Sequence, residues 1–459
     1  MWPAGGTKHC QWPGCTGRRP TASRCAARKR STNENESSKF AEQSDSEAAG
    51  NAARRKKTGT TKPNISALDS QPQSHTMSIV SIQKKLPNLP VTIFAQMSQL
   101  ARDYQAVNLG QGFPDFAMDG HLQALVQQAM RDGHNQYAHT NGYAGLREVL
   151  AAKANGLYGA NINPETDITI TPGGTYAISN ALTAMLHPGD EVILFEPSFD
   201  SYIPNIEVMG ARAVAIPLQF PDYSIPWAEV KSKISEKTRF ILINSPHNPT
   251  GALLSEADIE ALRAVVSGTN IMILSDEVYE HLVFDGHKHL SLLAYPDLFE
   301  RSFVAFSLGK VFHCTGWKIG YTMAPAYLMQ EFRNHHQFNV FSVNTPYQVA
   351  MAEYLQNPAV YLGLAADFQR RRDLLLSLTK GLPLQPLASK GSYFQCFTFN
   401  SEASDADLAL RMVTEGGVAA IPVSAFYRDK TDHRVLRFCF AKKESTLEAA
   451  AERLQKFRF

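Results

Sequence analysis

The sequence predicts an α/β fold whose main domain contains a mostly parallel sheet flanked by helices. Short apolar runs recur along the middle of the chain, and segments with helical periodicity, such as 255–266, lie between several of them. Several of these runs are almost continuously apolar, which is typical of strands that are buried on both faces of a sheet. The predicted strands span residues 191–195, 213–216, 240–244, 271–275, 303–307 and 320–324.

The two ends of the chain differ from this middle part. From about Tyr347, a long helical stretch precedes two strand-like runs, 392–398 and 435–440, and a helix from Ser445, which together predict a smaller α+β domain. Apolar residues at positions 93, 94, 97 and 100 predict a short helix. We therefore expect four parts: a leader (1–76), an N-terminal segment (77–125), a large domain (126–346) and a small C-terminal domain (347–459).

The leader is polar and basic, and we expect it to be disordered. Residues 1–76 hold 13 Lys and Arg against 6 Asp and Glu, a net charge of +7, so the remainder carries −5 of the chain's total of +2. A segment with so few large apolar residues cannot bury enough surface to offset the entropy lost on ordering. Its arginines suggest a transit peptide, but prolines and glycines interrupt any amphipathic helix. We favour a disordered tail, or a start at Met77, over a targeting segment.

Composition argues against nucleic-acid, membrane and metal binding. A net charge of +2 gives no general attraction to nucleic acid or to a membrane surface, and no apolar run approaches the ~20 residues of a membrane-spanning helix. The six cysteines are spaced too irregularly for a disulfide framework, so a reducing cytoplasm is expected. A zinc site near the start of the chain is disfavoured because the spacing of its possible ligands fits no common zinc finger: His9, Cys10, Cys15 and Cys25.

A strand, a turn of small residues and a helix follow one another at residues 167–186. Residues 167–171 alternate like a strand, Pro172-Gly173-Gly174-Thr175 indicates a tight turn, and 176–186 has helical periodicity. This arrangement points free backbone N–H groups at an anion, and the Thr175 hydroxyl adds a donor. Because many α/β folds contain such a unit and bind nothing there, the pattern alone leaves an anion site open.

Lys310 follows the predicted strand 303–307 in the run Ser307-Leu-Gly309-Lys310. A lysine at the end of a buried strand cannot be fully buried as a free ammonium without a large desolvation cost. It is therefore solvated, paired with an acid or used chemically. Functional residues of a parallel sheet collect where its strands end, and Asp276 stands at the end of the predicted strand 271–275.

Taken in order, these motifs resemble the class I and II aminotransferases, which are fold-type I enzymes that use pyridoxal 5'-phosphate (PLP). The resemblance runs from about Lys85 to the C-terminus, and the combination of motifs is highly specific. The motifs are Thr171-Pro-Gly-Gly-Thr175, Asn244-Ser-Pro-His-Asn248-Pro-Thr-Gly251, Ser275-Asp276-Glu-Val-Tyr279, Ser307-Leu-Gly-Lys310 and Val435-Leu-Arg437. The glycine-rich loop (residues 108–115, Asn-Leu-Gly-Gln-Gly-Phe-Pro-Asp) resembles most the branch that holds methionine and kynurenine–oxoglutarate aminotransferases.

The resemblance implies a large PLP-binding domain and a role for each motif residue. The catalytic residues would be Lys310, which would hold the cofactor covalently, Asp276, which would keep the ring nitrogen protonated, and Tyr279. Arg437 would clamp the substrate carboxylate beside Asn248 and the Gly112 backbone of the glycine-rich loop. The other cofactor contacts would come from Gly173, Gly174, Thr175, Ser307 and Lys318 around the phosphate, Tyr137 of a neighbouring subunit, Phe199 on the ring face, and Asn248 and Tyr279 at the ring hydroxyl.

The function implied is transamination between an apolar, sulfur-containing or aromatic L-amino acid, such as methionine or kynurenine, and a 2-oxo acid, in a cytoplasmic homodimer. Phe116, Phe338 and Phe341 are expected near the mouth of the site, and Glu277 is expected to be solvated. A carbon–sulfur β-lyase acting on cysteine conjugates would use the same lysine and aspartate, so the sequence leaves that alternative open. An aminotransferase-like regulatory domain is disfavoured, because the leader lacks the helical periodicity of a DNA-binding helix-turn-helix.

Overall fold

A computed structural model describes residues 82–87 and 91–459. The predicted disorder of residues 1–76 and the disfavoured zinc ligands near the start of the chain lie outside these residues. Within them, no helix is long and apolar enough to span a membrane.

The described chain alternates between strands and helices for most of its length. The strands are β1 (Val107–Asn108), β2 (Ile168–Thr171), β3 (Glu191–Glu196), β4 (Arg212–Pro217), β5 (Thr238–Asn244), β6 (Met272–Asp276), β7 (Ser302–Phe306), β8 (Gly320–Met323), β9 (Leu384–Pro386), β10 (Phe394–Phe399), β11 (Val418–Ala419), β12 (Ile421–Pro422) and β13 (Val435–Cys439). The α-helices are α1 (Ile93–Asp103), α2 (Gly120–Arg131), α3 (Ala144–Tyr158), α4 (Gly174–Met185), α5 (Tyr202–Glu207), α6 (Trp227–Lys233), α7 (Glu256–Val266), α8 (Pro296–Phe299), α9 (Leu308–Val311), α10 (Ala326–Asn339), α11 (Thr345–Tyr354), α12 (Ala359–Leu362), α13 (Leu364–Leu378), α14 (Asp405–Thr414) and α15 (Glu444–Lys456). Short 3-10 helices lie at Leu292–Ala294, Thr315–Trp317 and Val423–Phe426.

The largest sheet has the strand order β2-β8-β7-β6-β5-β3-β4. Every neighbouring pair is parallel except the two that involve β8, so the predicted mostly parallel sheet is confirmed. Along β3, Ile193 and Phe195 belong to one apolar core, whereas Val192 and Leu194 belong to another. Since successive side chains of a strand point to opposite faces, the sheet is covered on both faces, which explains its almost continuously apolar strands.

The register of the parallel strands brings the polar strand ends to one edge of the sheet. Asn244 at the end of β5 pairs with Asp276 at the end of β6, and Asp276 pairs with Ala305 near the end of β7. Immediately beyond β7, the Ser307 hydroxyl accepts a hydrogen bond from the backbone N–H of Lys310, which caps the short helix α9. Lys310 therefore lies in the short helix that follows the strand, whereas the sequence placed it directly at the strand end.

A second sheet, of strand order β12-β13-β10-β9, is antiparallel throughout. Its apolar core also includes Met97 and Ala101 of α1 and Leu109 after β1, and β1 pairs in parallel with β11. The N-terminal segment and the C-terminal part thus share one core, although more than 200 residues separate them in the sequence. The predicted domain boundaries at 125/126 and 346/347 remain a prediction.

Candidate active site

A cavity of about 280 Å³ lies at the edge of the parallel sheet where β5, β6 and β7 end. It is lined by side chains or backbone of twelve of the predicted site residues: Gly112, Gly173, Gly174, Thr175, Phe199, Asn248, Asp276, Tyr279, Ser307, Lys310, Lys318 and Arg437. Residues that are scattered over more than 300 positions therefore meet at one place, as expected for the ends of parallel strands.

The Lys310 amine projects into this cavity between two aromatic rings. Its Nζ atom lies 5.6 Å from the ring centre of Tyr279 and 5.5 Å from that of Tyr393, and it donates a hydrogen bond of 2.7 Å to the Gly112 carbonyl. The Tyr393 hydroxyl in turn donates to the backbone carbonyl of Lys310. Burial lowers the pKa of Lys310 to about 8, so roughly a tenth of the amine is neutral, and hence nucleophilic, at pH 7, whereas a solvated lysine is almost fully protonated there.

The Asp276 carboxylate is buried and lines the same cavity. It accepts a hydrogen bond of 2.6 Å from the Tyr202 hydroxyl and a longer one of 3.2 Å from the Val278 backbone N–H. Burial raises the pKa of Asp276 to about 6, although both hydrogen bonds oppose this rise. A buried carboxylate that faces a cavity is suited to stabilising a cationic group of a ligand. Tyr202 was not predicted, and its only sequence signal is its position three residues after Phe199.

An anion cup forms the far end of the cavity. Helix α4 begins at Gly174, and its first backbone N–H groups lack partners within the helix. Gly173 has a φ of 87°, and a Cβ atom there would lie 3.3 Å from Nζ of Lys318. At Gly174 a Cβ atom would lie only 2.8 Å from a methyl group of Val278. Glycine therefore keeps the cup open, and a helix N-terminus together with a lysine supplies the positive potential that a phosphate requires.

Arg437 lies in the middle of β13 and is completely buried. Its guanidinium donates 2.9 Å to the Asn248 side-chain oxygen and 2.7 Å to the Gly110 carbonyl, and it lies 3.9 Å above the centre of the Phe394 ring. Its Nε atom has no hydrogen-bond partner within the described residues. β13 is an interior strand between β12 and β10. A buried guanidinium of this kind has the charge and planar shape that suit a carboxylate ligand.

The comparisons with known proteins agree with this geometry. The sequence profile of "Aminotransferase class I and II" matches residues 104–454. The chain belongs to the class I and II aminotransferases. It is 44% identical over 376 residues to the methionine aminotransferase of Escherichia coli K12, covering 81% of this chain and 97% of that one. It is 33% identical over 402 residues to kynurenine–oxoglutarate transaminase 3 of Rattus norvegicus, covering 80% of this chain and 88% of the relative.

Solved structures give the same family and confirm fold-type I. A crystal structure from Escherichia coli, described as identifying a methionine aminotransferase function, superposes with a TM-score of 0.81 at 44% identity, covering 82% of this chain and 100% of that chain. A mutant aspartate aminotransferase of Thermus thermophilus superposes with a TM-score of 0.76 at 28% identity, covering 82% of this chain and all of that one.

Members of this family use PLP, and the described residues of this aminotransferase fit that cofactor. The anion cup suits the phosphate, the buried Asp276 suits the protonated ring nitrogen, and the partly neutral Lys310 suits the aldehyde. These three chemical requirements meet in one cavity whose size is adequate for a small ligand. The protein is therefore a PLP-dependent aminotransferase.

Two expectations about this aminotransferase were wrong. Glu277 is buried rather than solvated: its carboxylate accepts hydrogen bonds from Ser275 Oγ and the Leu292 backbone N–H and lies 2.9 Å from Nε2 of His289. The reason is that the chain turns after β6, so that Glu277 faces the core while Asp276 faces the cavity. No periodicity marks such a turn in the sequence.

The aromatic residues of the cavity are also different from those expected. Phe116 packs against His313 and Phe368 instead of lining the cavity, and Phe338 and Phe341 lie on the surface at the end of α10 and just beyond it. Their places are taken by aromatic residues from the N-terminal segment and the second sheet: Phe94, Phe113 and Phe394. Phe94 and Phe113 reach the cavity because the N-terminal segment packs against the second sheet. Local sequence patterns do not reveal this packing.

Tyr137 does not line the cavity of its own chain. Its side chain is 79% exposed, and its ring meets that of Phe341 edge to face at 5.1 Å on the surface. Its predicted role in a neighbouring subunit stays a prediction.

Proposed function

We propose that this aminotransferase exchanges the amino group of methionine or an aromatic L-amino acid with a 2-oxo acid. The observation that carries the proposal is the aromatic surrounding of Arg437. Its guanidinium lies 5.2 Å from the ring centre of Phe94 and 3.9 Å from that of Phe394, and Phe113 lines the same cavity. Arg437 is the single arginine that lines the cavity within the described part of the chain. One buried cation in an aromatic frame favours a substrate with one α-carboxylate and an uncharged side chain. Relatives named methionine aminotransferase and kynurenine–oxoglutarate transaminase support the same choice.

Arg437 is proposed to bind the carboxylate of the substrate. Its contacts with Asn248 and Gly110 and its stacking on Phe394 fix the plane of the guanidinium before any ligand enters. The Gly110 carbonyl occupies one N–H group of Arg437, so carboxylate binding requires this carbonyl to move or to share the guanidinium. A planar cation that is fixed in advance orients a carboxylate at little entropic cost.

The cofactor is proposed to lie between Lys310 and the anion cup. Gly173, Gly174, Thr175, Ser307 and Lys318 would hold its phosphate. Asp276 would bind the protonated ring nitrogen, Phe199 would lie on the ring face, and Asn248 and Tyr279 would bind the ring hydroxyl. When bound, PLP supplies an electron-accepting ring that stabilises negative charge at the α-carbon of the amino acid.

Lys310 is proposed to remove the α-carbon proton, whose loss produces this negative charge. Its pKa of about 8 makes a neutral amine available as a general base for the α-carbon proton. The rings of Tyr279 and Tyr393 and the anchored backbone of α9 restrict where the amine can reach. Asp276 is proposed to act on the cofactor ring, and the hydrogen bond from Tyr202 fixes the orientation of its carboxylate.

A homodimer is proposed as the active form, with Tyr137 completing the phosphate site of a second copy. The exposed rings of Tyr137, Phe338 and Phe341 form an apolar surface of the kind that a second copy would cover. The large PLP-binding domain (126–346), the small domain (347–459) and a cytoplasmic location are proposed with it.

The test of this function is the visible absorption of the purified protein with PLP, before and after excess methionine in the absence of any 2-oxo acid. We expect the band of the lysine-bound cofactor to bleach with methionine and to return when a 2-oxo acid is added. A band that ignores methionine but responds to another amino acid would refute the substrate proposal and leave the PLP chemistry in place. Pyruvate release from a cysteine conjugate without any acceptor would identify β-lyase activity instead.

A further inference from the structure

The glycine-rich loop (residues 108–115) forms part of the wall of the active-site cavity. Gln111, Gly112 and Phe113 line this cavity, while Gln111, Phe113 and Asp115 line a separate open groove on the other side of the loop. The loop is therefore the partition between the cavity and the solvent-filled groove. Its position decides how closed the cavity is when a substrate is inside.

The middle of the loop is held partly by groups that a substrate needs and partly by its own residues and α1. The Asn108 side-chain oxygen accepts hydrogen bonds from the backbone N–H groups of Gly110 and Gln111, and the Gln111 side chain donates to α1. The Gly110 carbonyl accepts a hydrogen bond from Arg437, and the Gly112 carbonyl accepts one from Lys310. Gly112 also lies flat on the Phe394 ring, where a Cβ atom would be only 2.7 Å from a ring carbon. When a carboxylate engages Arg437 and the cofactor engages Lys310, these two bonds are no longer available to the loop. The loop then depends on anchors outside the cavity.

Lys442 is such an anchor. It is 3% exposed, and its Nζ atom donates a hydrogen bond of 2.8 Å to the Phe113 carbonyl and lies 5.0 Å from the centre of the Phe113 ring. It forms no salt bridge with any carboxylate in residues 82–87 and 91–459. A buried ammonium whose acceptor is a loop carbonyl is a costly arrangement, and bonds of this charged type are stronger than those between neutral groups.

Asp115 provides a second anchor at the end of the same loop. Its carboxylate accepts hydrogen bonds of 2.6 Å from the Lys443 backbone N–H and from the Thr446 hydroxyl, at the start of α15. Arg371 braces the same region, since it donates 2.7 Å to the Lys442 carbonyl and lies 4.2 Å above the ring of Phe116. The loop is thus tied to the beginning of α15 at two successive points.

We propose that Lys442 is a positioning residue that holds Phe113 as the side wall of the substrate cavity and thereby sets the affinity for the amino acid. Lys442 does not line the cavity and touches neither Lys310 nor Arg437 among the described contacts. Its effect passes through the loop backbone. The role of Lys442 depends on the proposed function in one respect, which is the identity of the amino acid that the cavity binds.

The test compares Lys442→Met, which keeps the length and apolar stem of the side chain, with Lys443→Met as a matched control. Lys443 is exposed and contributes only its backbone N–H to the anchor. We expect Lys442→Met to raise KM for the amino acid on the order of ten-fold, as for the loss of one charge-assisted hydrogen bond, with kcat within about three-fold. Lys443→Met is expected to leave both constants unchanged.

Binding of 3-phenylpropionate to the PLP-loaded enzyme, measured by calorimetry, provides a readout that does not depend on turnover. This acid has a carboxylate and an aromatic ring but no amine. Its Kd is expected to rise in parallel with KM in Lys442→Met, while the affinity for PLP stays at the wild-type value. Unchanged KM and Kd, or a fall in kcat alone, would overturn the proposal.

Asp115→Ala keeps the proposal testable if Lys442→Met does not fold, since Asp115 is on the surface. It is expected to change KM in the same direction, and an unchanged KM in this variant would count against the anchored loop. Failure of the wild-type enzyme to use methionine would refute the substrate proposal alone, because the comparison of Lys442→Met with Lys443→Met can be made with any donor that the enzyme accepts.

Discussion

Replacing Lys153 by methionine should destabilise this protein strongly, although Lys153 lies outside the active-site cavity. Lys153 in α3 forms a salt bridge of 2.7 Å with Glu280, and the two side chains are only 5% and 3% exposed. Glu280 also accepts hydrogen bonds from the hydroxyl groups of Tyr158, at 2.6 Å, and Tyr321, at 3.2 Å. Removing the lysine leaves a buried carboxylate with two neutral donors and without its neighbouring lysine cation.

Two estimates of the cost agree. Breaking a buried ion pair by removing one partner typically costs about 3–5 kcal/mol. Burial raises the pKa of Glu280, but Lys153, His281 and Tyr158 together outweigh this and bring the pKa from 4.5 to about 2. At 1.36 kcal/mol for each pH unit, this net difference corresponds to about 3 kcal/mol, of which Lys153 is the main but not the sole source. Because the tyrosine hydroxyls remain, we expect Lys153→Met to lower the free energy of unfolding by about 3 kcal/mol, the lower end of the range.

The pH dependence of this contribution has a definite sign. The folded-state pKa of Glu280 is lower than its unfolded value, so its stabilising contribution is complete above about pH 4.5 and is lost as the pH falls toward 2. The difference between wild type and Lys153→Met should therefore persist from pH 6 to 8. It should shrink in acid, where the unpaired Glu280 of the variant takes up a proton.

Urea unfolding of the PLP-free protein at pH 7.5 measures the effect without the stabilisation that a bound cofactor adds. The exposed Lys233→Met is the control and should leave the midpoint unchanged. The double variant Lys153→Met, Glu280→Gln removes both charges and should recover at least about half of the loss. A loss below about 1 kcal/mol for Lys153→Met, or a double variant as unstable as the sum of the two single ones, would refute this account of the buried pair.

Three further predictions concern the cavity itself. Lys310→Ala should still bind PLP, seen by absorption and equilibrium dialysis, but should show no measurable turnover, and normal turnover would remove Lys310 from its proposed role. Arg437→Met should raise KM for the amino acid on the order of a hundred-fold, because the substrate loses a charged hydrogen-bonding partner. The affinity for PLP should stay unchanged. A loss of PLP affinity without the change in KM would contradict the assignment of Arg437 to the substrate carboxylate. The rate at which PLP attaches to the cofactor-free protein should rise with pH and level off above about pH 8. The reason is that burial lowers the pKa of Lys310 to about 8 and that the neutral amine is the nucleophile. A midpoint near pH 10.5 would show that the amine is solvated.

Much of the central sheet could be predicted because its signal is local. The predicted strands 191–195, 213–216 and 240–244 differ from the observed Glu191–Glu196, Arg212–Pro217 and Thr238–Asn244 by at most two residues at an end. Strands buried on both faces are apolar throughout, and the polar residues that follow them mark the edge where the site forms. The strand ends indicated Asp276 and Lys310, whereas most of the other predicted cavity residues were expected from the resemblance to the family.

The parts that were not predicted depend on contacts between distant segments. Helix α1 packs against β11, β12 and α14, and these contacts between distant segments bring Phe94 to the cavity. Phe113 and Phe116 are three positions apart in one stretch and equally apolar, yet Phe113 lines the cavity and Phe116 packs on His313. Which of two such rings faces a ligand is decided by the anchoring of the loop, and sequence periodicity carries no information about it.

The turn that follows β6 shows how the stability of the core and the chemistry of the site are linked. Asp276 and Tyr279 face the cavity, whereas Glu277 and Glu280 face a buried polar cluster on the other side. Each of the two glutamates is held by at least three groups, and four of these partners come from distant positions: Lys153, Tyr158, Leu292 and Tyr321. Fixing Glu277 and Glu280 fixes the backbone of the turn, which carries Tyr279 between them and follows directly on Asp276. A variant such as Lys153→Met should therefore lower turnover as well as stability, because it loosens the turn that carries the proposed catalytic side chains of Asp276 and Tyr279.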